Sequence, residues 1–295
     1  MSKRILIFST AYFPLVGGAE VAVKEITDRL PDFEFMLIAA KIKKDLASEE
    51  KIGNVYVHRI GVGNHWDKFR LIWSGWKKAK ELGGFDAVWS IMASYAGLAA
   101  LRYKKRNPSV PFLLTLQEGD SKWDIYKHVW WCWPYFKQIF KRADKIQAIS
   151  NYLAEWAKDL GAKCPIEVVP NGVDIEKFQH TLSSPSSLSF PRLSTGESSG
   201  QLLQQFGIKD NDKIVITVSR LVKKNGVSDL IKSMKFLNNN THLLILGTGE
   251  LENILKLESK HEGLEKRVHF LGNIHHDNLS HYLQISDVFC RPSLS

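Results

Sequence analysis

Residues 4–20 read RILIFSTAYFPLVGGAE and contain the pattern that decides the fold. The apolar run 4–9 has the length of a buried strand, and the turn Gly17-Gly18-Ala19-Glu20 opens a segment with helical spacing. Residues 243–250, LLILGTGE, repeat the arrangement around Gly247-Thr248-Gly249-Glu250. In open parallel sheets ligands bind at the carboxyl ends of strands, and helix N-termini there favour phosphate. The two turns therefore predict two phosphate-binding half-sites that face each other across a cleft and take a nucleotide or a nucleotide-linked substrate.

The composition is that of an ordinary globular protein with room for two domains. The chain has 295 residues, of which 44% are hydrophobic and 24% are charged. Its net charge of +9 suits an anionic partner. A nucleotide sugar, an anionic lipid surface and a nucleic acid all meet that description, and charge alone does not choose among them.

Cysteine usage and hydropathy predict the compartment. Cys132, Cys164 and Cys290 are far apart and lack metal-ligand spacing, and a sparse, odd number of cysteines is typical of a reducing compartment. The strand-like segment after Met1 is only about six residues long, too short for the apolar core of a signal peptide, and no apolar run approaches the ~20 residues of a membrane-spanning helix. We therefore expect a cytoplasmic protein, with peripheral association at the inner membrane face as an extension of that expectation.

Short apolar runs alternate with helical patterns over residues 1–180, which we take as a first α/β domain. Helices are predicted over 20–30, 94–105 and 151–160, the last after Ser150, a good N-cap residue. Strands separated by helices predict a parallel sheet covered on both faces. The predicted strands are 4–9, 34–39, 54–60, 86–91, 111–116, 144–149 and 166–169.

A serine-rich segment, 181–205, separates this domain from a second one and is interpreted as a linker or loop, with a regulatory segment as the alternative. Alternation resumes over 206–295, which predicts a second α/β domain. No helix follows its last strand, so we expect this domain to be incomplete. Its predicted elements are strands 213–218, 242–246, 267–271 and 287–291 and helices 226–237, 250–261 and 277–285.

Three turns carry residue types that suit a diphosphate. Paired glycines at Gly17-Gly18 permit positive φ and close backbone approach, although a glycine turn without ligand is the alternative and no Walker or complete Gly-x-Gly-x-x-Gly pattern is present. Arg220 lies at the end of a predicted strand, and its planar guanidinium can bind a pyrophosphate beside Lys223 and Lys224. A solvated basic loop without ligand is the alternative. The segment 169–174, VPNGVD, follows a strand as a tight turn and is either a binding segment or a plain turn.

Two polar clusters are interpreted as local structure rather than as metal sites. Asp210-Asn211-Asp212 directly precedes a strand and predicts a turn, with a divalent metal beside a diphosphate as the alternative. His275-His276-Asp277 predicts the start of a helix. No Ser/His/Asp order and no Cys/His pair stands out as a nucleophile, so the residues alone name no general base.

Residues 123–140 are unusually rich in aromatic and basic side chains. They suit an aromatic helix packed on the sheet, a surface for a membrane or a lipid-linked or sugar acceptor, and a platform for stacking nucleic-acid bases, and all three interpretations stay open. The side chains concerned are Trp123, Trp130, Trp131, Trp133, Tyr135, Phe136 and Phe140, with Lys127, Lys137, Lys141 and Arg142.

Seven motifs in order resemble glycosyltransferase family 4, the retaining enzymes whose two Rossmann-like domains form the GT-B fold. The resemblance runs from Arg4 to Leu294 and covers essentially the whole chain. Each motif alone is weak evidence for the family, whereas seven motifs in this order and at this spacing are a specific match to its pattern. They are Gly17-Gly18-Ala19-Glu20, Ile149-Ser150, Val169-Pro170-Asn171-Gly172-Val173-Asp174 with Phe178, Val218-Ser219-Arg220-Leu221, Leu246-Gly247-Thr248-Gly249-Glu250, Val268-His269-Phe270-Leu271-Gly272, and Asp287-Val288-Phe289 with Arg291-Pro292-Ser293.

This resemblance implies transfer of a sugar from a nucleoside diphosphate sugar to a glycan or lipid-linked acceptor of the cell envelope, with retained anomeric configuration. It places the acceptor in the first domain and the donor in the second. No cofactor and no metal are implied, because backbone amides, helix N-termini and basic side chains hold the diphosphate, with Arg220 steadying it as the leaving group. The implied donor-binding residues are Gly17, Gly18, Asn171, Gly247, Gly249, Glu250 and Gly272.

The chain departs from the family pattern in three places. Asn225 stands where the family has a lysine, and Gln117 replaces the histidine of its His-Gly-x-Asp motif. Losing one charged contact to the leaving group costs ~10²–10³ in rate. The family's Glu-x7-Glu motif would begin after Ser295, so we expect a truncated enzyme with little or no transferase activity of its own. The candidate catalytic residues are Arg220, Lys224, Asn225, Gln117 and Asp120.

Other functions stay open beside this one. A non-catalytic relative that binds a nucleotide sugar or a glycan is favoured by Asn225 and Gln117. A nucleic-acid or anionic-membrane binder is favoured by the charge and by residues 123–140, and steep salt dependence would support it. The chain contains no recognised nucleic-acid motif, so no nucleic-acid partner is expected. An epimerase on the same two-domain plan is a weaker alternative.

Overall fold

A computed structural model of the chain describes residues 2–175, 204, 206–209, 211–274 and 278–293. The chain divides into two compact units, Met1–Gly172 and Val173–Ser295. The predicted linker 181–205, apart from Gln204, lies outside the described residues, as do Phe178, Asp210 and 275–277.

The first unit is built on eight strands: β1 (Lys3–Phe8), β2 (Phe33–Ala40), β3 (Glu49–Ile52), β4 (Val55–Ile60), β5 (Ala87–Ile91), β6 (Phe112–Leu116), β7 (Lys145–Ala148) and β8 (Ile166–Val168). They form one sheet in the order β3-β4-β2-β1-β5-β6-β7-β8. All neighbours pair in parallel except β3, which lies antiparallel to β4 at the edge. The predicted parallel sheet is therefore present, with one antiparallel edge hairpin added.

Helices cover both faces of this sheet: α1 (Gly18–Asp28), α2 (Asp67–Glu81), α3 (Tyr95–Arg106), α4 (Lys122–Val129), α5 (Trp133–Arg142) and α6 (Asn151–Asp159). Helices α2, α3, α5 and α6 share one hydrophobic core with the sheet. Helix α1 packs against the other face. A short 3₁₀ turn, Trp130–Cys132, connects α4 to α5.

The central strand β1 shows why the sequence folds this way. Leu6, Ile7 and Phe8 are all fully buried, because helices cover both faces, and so the strand reads as a continuous apolar run rather than an alternating one. Leu6 and Phe8 join the core under α2 and α3, whereas Ile7 joins the core under α1. Full burial of each such side chain contributes about 1.5–3 kcal/mol.

The second unit contains four described strands, β9 (Lys213–Val218), β10 (Thr241–Leu246), β11 (Val268–Gly272) and β12 (Val288–Phe289), in the parallel order β11-β10-β9-β12. Its described α-helices are α7 (Val227–Ser233), α8 (Glu252–His261) and α9 (Leu279–Gln284). Helices α7 and α8 pack on one face of the sheet and α9 on the other. None of the helices in the described part of the chain is long and apolar enough to cross a membrane.

Every predicted strand is present, with ends that differ from the prediction by no more than about two residues, which is within the usual uncertainty of strand and helix ends. The sequence analysis missed β3 and α2. Strand β3, EEKI, is mostly exposed and carries no apolar face that would signal it. Helix α2 does place Leu71, Ile72 and Ala79 at helical spacing, but the lysines and the exposed Trp73 between them weaken the pattern.

The aromatic stretch 123–140 is divided between core and surface. Phe136 and Phe140 are fully buried in the first unit's core, as the packing interpretation requires. Trp123, Trp130 and Tyr135 are largely exposed, as the surface interpretation requires. Within the amphipathic helix α5 the division follows the helix faces, because Phe136, Ile139 and Phe140 lie on its buried side and Tyr135 on its exposed side.

Candidate active site

Most of the predicted site residues of the first unit follow the carboxyl ends of its parallel strands. Gly17 and Gly18 close the loop after β1, Gln117 and Asp120 follow β6, and Asn171 follows β8. Because parallel strands end at the same edge of a sheet, these loops share one edge of the first unit.

The paired glycines stand at the beginning of α1, Gly17 as the N-cap residue and Gly18 as the first residue of the helix. Gly17 is the N-cap residue with φ −137° and ψ 179°, which is extended backbone, and Gly18 also lies outside the left-handed region. The turn therefore does not use the positive φ that paired glycines permit. Space is what distinguishes the two positions: a Cβ on Gly17 would lie 2.7 Å from Glu20 Oε2, whereas one on Gly18 would meet nothing within 4 Å.

The carboxylate of Glu20 occupies part of the helix N-terminus that we assigned to phosphate. It accepts hydrogen bonds from the backbone N–H groups of Gly17 and of Glu20 itself. Burial nevertheless raises the pKa of this carboxyl, because loss of water outweighs the two amide bonds. An anionic ligand at this turn meets a carboxylate as well as amides, and contact of Gly17 and Gly18 with donor phosphate stays a prediction.

Two other predicted residues are brought together at the same edge. Gln117 is buried at the end of β6, and its Oε1 accepts a hydrogen bond from Asn171 Nδ2 at 3.4 Å. The two residues are 54 positions apart in sequence, and the parallel order β6-β7-β8 brings them into contact. Asp120 lies three residues beyond Gln117 and is exposed.

Glu118 is a residue at this edge that the sequence analysis did not select. Its Oε1 accepts a hydrogen bond from the backbone N–H of Ala93 at 2.5 Å, and its Oε2 is buried with no hydrogen-bond partner among the described residues. Burial, with Asp120 nearby as a smaller cause, raises the pKa of Glu118 to about 7. Met92, the residue before Ala93, has φ +68°, an unusual conformation for a side-chain-bearing residue. A signal was present in the sequence, because Glu118 stands where the family's His-Gly-x-Asp motif has glycine.

We expect Glu118→Gln to stabilise the protein at pH 8 and to leave its stability unchanged near pH 4. The folded-state pKa of about 7 lies above the value of 4.5 for a free glutamate, so the folded state holds the proton more tightly. Stability of the unsubstituted chain therefore falls as pH rises from about 4.5 through 7. Thermal unfolding midpoints of the two proteins across this range test the prediction.

The matched control is Glu81→Gln, which removes an exposed carboxylate at the end of α2. Its stability curve should run parallel to that of the unsubstituted chain. Parallel curves for Glu118→Gln as well would show that the Glu118 carboxyl titrates normally.

The glycines of the second unit let neighbouring loops approach one another. Gly247, with φ +129°, follows β10, and a Cβ there would lie 2.0 Å from the carbonyl oxygen of Ser219. A Cβ on Gly249 would lie 2.3 Å from the carbonyl oxygen of Leu221. The positions require glycine because the loop after β9 packs directly on the loop after β10. Approach of these glycines to a donor stays a prediction.

Backbone hydrogen bonds connect three loops at this edge. Leu221 N–H donates to the carbonyl of Thr248 at 2.9 Å, and Gly247 N–H donates to the carbonyl of Gly272 at 2.7 Å. The loops after β9, β10 and β11 therefore form one connected surface that includes three of the predicted donor-binding residues. Glu250, a fourth, is exposed two residues before α8.

Arg220 is exposed on this surface, and its guanidinium makes no ion pair within the described parts of the chain. Asn225, in contrast, is buried, and its Nδ2 donates to the carbonyl oxygen of Arg220 at 2.6 Å. Lys224 lies in the same short 3₁₀ turn, Lys223–Asn225. The residue that replaces the family's lysine thus holds the backbone that carries Arg220, while the side chain of Arg220 stays accessible to an anion.

Comparisons with known proteins agree with this division into two units. The profile of Glycosyltransferase Family 4 matches residues 16–177, more than half of the chain, and the profile of Glycosyl transferases group 1 matches residues 199–295. An uncharacterised glycosyltransferase of Methanocaldococcus jannaschii is 28% identical over 99% of this chain and 75% of its own length. The GDP-mannose-dependent monoacylated alpha-(1-6)-phosphatidylinositol monomannoside mannosyltransferase of Corynebacterium glutamicum is 27% identical, but the match covers only 53% of this chain and 38% of that enzyme.

A solved structure shows the same fold. Anabaena HepE in complex with UDP and glucose superposes with a TM-score of 0.71 at 18% identity, over 99% of this chain and 75% of HepE. A sucrose-phosphate synthase of Thermosynechococcus elongatus superposes with a TM-score of 0.75 at 17% identity, and the α/β fold predicted from the sequence is confirmed. With the family profile over the first unit and the motifs in the second, the chain belongs to glycosyltransferase family 4.

Proposed function

We propose that this protein takes a sugar from a nucleoside diphosphate sugar and transfers it to a glycan or lipid-linked acceptor, with retention of anomeric configuration. The observation that carries the proposal is the surface formed by the loops after β9, β10 and β11, where Arg220 is exposed beside hydrogen-bonded glycine turns. Family membership supplies the reaction class.

On this proposal the diphosphate of the donor binds at Arg220. A guanidinium presents two parallel N–H groups to phosphate oxygens and stabilises the charge that develops when the sugar leaves. Lys224 adds positive charge from the same turn, and Gly272 lies on the side of the nucleoside base. Backbone amides and these cations hold the diphosphate without a bound metal or other cofactor.

The acceptor binds, in this proposal, at the carboxyl edge of the first unit beside Gln117 and Asp120. The mannosyltransferase relative is named for a phosphatidylinositol mannoside acceptor, which supports a lipid-linked acceptor here. We place the reaction at the cytoplasmic side of the membrane, with the protein peripherally bound to an anionic lipid surface.

A second candidate is a relative that binds the nucleotide sugar or a glycan without transferring it. The observation that favours it is the structural use of two motif positions: Asn225 holds the backbone of Arg220, and Gln117 bonds to Asn171. Asn225→Lys distinguishes the two, because restored charge should raise a transfer rate but leave a pure binder without turnover.

Isothermal titration of the chain with UDP, GDP, UDP-glucose and GDP-mannose tests the proposal. We expect at least one nucleoside diphosphate sugar to bind with a Kd of about 1 μM to 1 mM, the usual range for enzyme substrates. Adenosine monophosphate, which lacks the diphosphate, is the control ligand and should bind much more weakly. Absence of binding by all four nucleotides would overturn the proposal. Nucleotide release with a glycolipid acceptor, followed by NMR of the product's anomeric proton, reports transfer and its stereochemistry.

A further inference from the structure

Three helices of the first unit form one continuous outer surface. Helix α2 packs beside α3, and α3 packs beside α5, so that all three cover the same face of the sheet. We call the outward side of α2 with the preceding Trp66, of α3, of the Trp130–Cys132 turn and of α5 the aromatic–basic face. All residues of this face belong to the first unit.

Large aromatic side chains are exposed along this face. Trp66 is 70% exposed and Trp130 is 74% exposed, and Trp73, Trp131 and Tyr135 are also exposed. Exposure of tryptophan rings to water is unfavourable, and a contiguous set of exposed rings marks an interaction surface. No core role of the first unit explains these rings, because its core is filled by other side chains.

The exposed rings are connected rather than scattered. Phe69 of α2 lies 5.7 Å from the ring of Trp66 and 5.9 Å from the ring of Trp131, measured between ring centroids. It also packs edge-on against Tyr95, the first residue of α3, at 5.1 Å. One aromatic cluster therefore joins the beginnings of α2 and α3 to the turn before α5.

Cations of α3 lie over rings of both neighbouring helices. The guanidinium of Arg102 lies 3.6 Å from the ring centroid of Trp73, and that of Arg106 lies 4.0 Å from Trp76. On the other side, Lys105 Nζ lies 5.1 Å from the ring centroid of Tyr135. These contacts hold positive charge at the outer surface between aromatic rings.

Between the helix ends, the charged side chains of the face are all basic, and the acidic residues Asp67 and Glu81 stand at the two ends of α2. No acidic residue occurs within 68–80, 95–106 or 129–142. Within the described residues, Arg102, Lys105 and Arg106 make no ion pair. Burial lowers the pKa of Lys105, and repulsion from the nearby guanidinium groups of Arg142 and Arg102 lowers it further. Like charges are thus crowded without a compensating anion from the protein itself.

The combination of features decides which anionic partner fits. Tryptophan and tyrosine beside lysine and arginine are typical of the interface between lipid headgroups and acyl chains, where a ring is half apolar and half wet. The face is the broad outside of a helix layer, whereas single-stranded nucleic acid binds in grooves with stacking platforms. Helix α3 spans about 16 Å from Tyr95 to Arg106. A flat membrane surface can therefore contact the aromatic rings and the cations at the same time.

The position of the face relates it to the candidate acceptor site. Tyr95 begins α3 two residues after Ala93, whose N–H contacts Glu118 at the carboxyl edge of the sheet. The aromatic cluster therefore borders the edge that carries Gln117 and Asp120. A membrane on this face would present the headgroup of a lipid-linked acceptor beside that edge.

We propose that the aromatic–basic face is the surface by which the protein docks on an anionic phospholipid bilayer, with Trp66, Trp130 and Trp131 entering the interface and Arg102, Lys105 and Arg106 contacting lipid phosphates. The inference deepens the proposed function and rests on it, because a lipid-linked acceptor is the reason to expect binding to a membrane. The docking itself involves no group of the donor site.

Co-sedimentation with vesicles tests the inference. The unsubstituted chain should bind vesicles of equal parts phosphatidylcholine and phosphatidylglycerol and only weakly bind pure phosphatidylcholine, and high salt should release it. Trp130→Ala/Trp131→Ala should weaken binding about tenfold. Arg102→Gln/Lys105→Gln/Arg106→Gln should weaken it about 100-fold, since each of the three cations near an anionic surface contributes roughly a fivefold factor.

Matched controls lie in the second unit. Phe236→Ala removes an exposed ring, and Lys256→Gln/Lys260→Gln/Lys266→Gln removes three exposed cations there. Circular dichroism confirms that each variant is folded. Equal losses for the control and the face variants would overturn the inference, because net charge alone would then explain binding. Tighter binding to an oligonucleotide than to vesicles, or a dimer abolished by the face variants, would overturn it in favour of those partners.

Nucleotide titration of the same variants separates this inference from the proposed function. We expect the face variants to bind nucleoside diphosphate as the unsubstituted chain does. Vesicle binding lost together with unchanged nucleotide binding supports the docking face. Absence of vesicle binding by the unsubstituted chain, with nucleotide binding intact, overturns the docking face and leaves the proposed function standing.

Discussion

Replacing Arg220 with alanine is expected to weaken binding of a nucleoside diphosphate about 10–100-fold, since a charge-assisted hydrogen bond contributes about 1.5–3 kcal/mol. Any transfer rate should fall further, by about 10²–10³, because the diphosphate gains charge as the sugar leaves. The side chain is exposed, so the unfolding temperature should not change. Isothermal titration with UDP and GDP measures the affinity, and nucleotide release measures the rate.

Lys266→Ala provides the matched control for Arg220→Ala. Lys266 is also an exposed cation of the second unit, but it precedes β11 and so lies at the opposite edge of the sheet. Its loss should leave nucleotide affinity unchanged. Arg220→Lys should fall between the two, because an ammonium keeps the charge but not the two-pronged geometry. Equal affinity of Arg220→Ala and the unsubstituted chain would contradict the assignment of the diphosphate to Arg220.

Gly247→Ala is expected to destabilise the second unit by about 2–4 kcal/mol, because two independent costs add. The residue has φ +129°, which side-chain-bearing residues rarely adopt, and the new Cβ would lie 2.0 Å from the carbonyl oxygen of Ser219. That oxygen belongs to backbone that is hydrogen-bonded in place, so it cannot turn away as a flexible side chain would. A lowering of the unfolding temperature of about 10 °C is expected for a unit of this size. Thermal denaturation followed by circular dichroism measures it, and nucleotide binding should weaken in parallel.

Gly263→Ala separates the two costs. Gly263 has φ +70°, but a Cβ there would meet nothing within 4 Å. This control should therefore lose only about 1 kcal/mol, the part that belongs to backbone conformation. If Gly247→Ala were no less stable than Gly263→Ala, close packing of the loops after β9 and β10 would not be what requires glycine at 247.

Much of the fold could be predicted because its signals are local. Strand β1 is a short apolar run followed by a glycine turn, and β10 repeats that arrangement, so periodicity and turn residues were sufficient. Strand β3 could not be predicted, since its pairing with β4 supplies stability that its own sequence does not show. Helix α2 was missed because its exposed face carries Trp73, a residue type that helix patterns assign to a core.

The candidate site was predictable in its residue types but not in their roles. The motifs named Arg220, Asn225 and Gly247, and the structure brings all three to one edge of the second unit. That Asn225 supports the backbone of Arg220, and that Gly247 approaches another loop, depends on contacts between separate segments. Glu118 was overlooked because the burial of its carboxylate, with Oε2 left without a partner among the described residues, is a property of the environment around it.

The sequence by itself determined the two-domain α/β plan, the family and the positions of the glycine turns, because strand length, helical spacing and motif order are properties of contiguous residues. Only the tertiary structure decided which side chains are exposed and which are held. Phe136 and Tyr135 are adjacent aromatic residues, yet Phe136 is buried and Tyr135 is exposed beside Lys105. The physical reason is that burial and charge environment arise where distant segments pack, and a one-dimensional pattern does not contain the neighbours that create them.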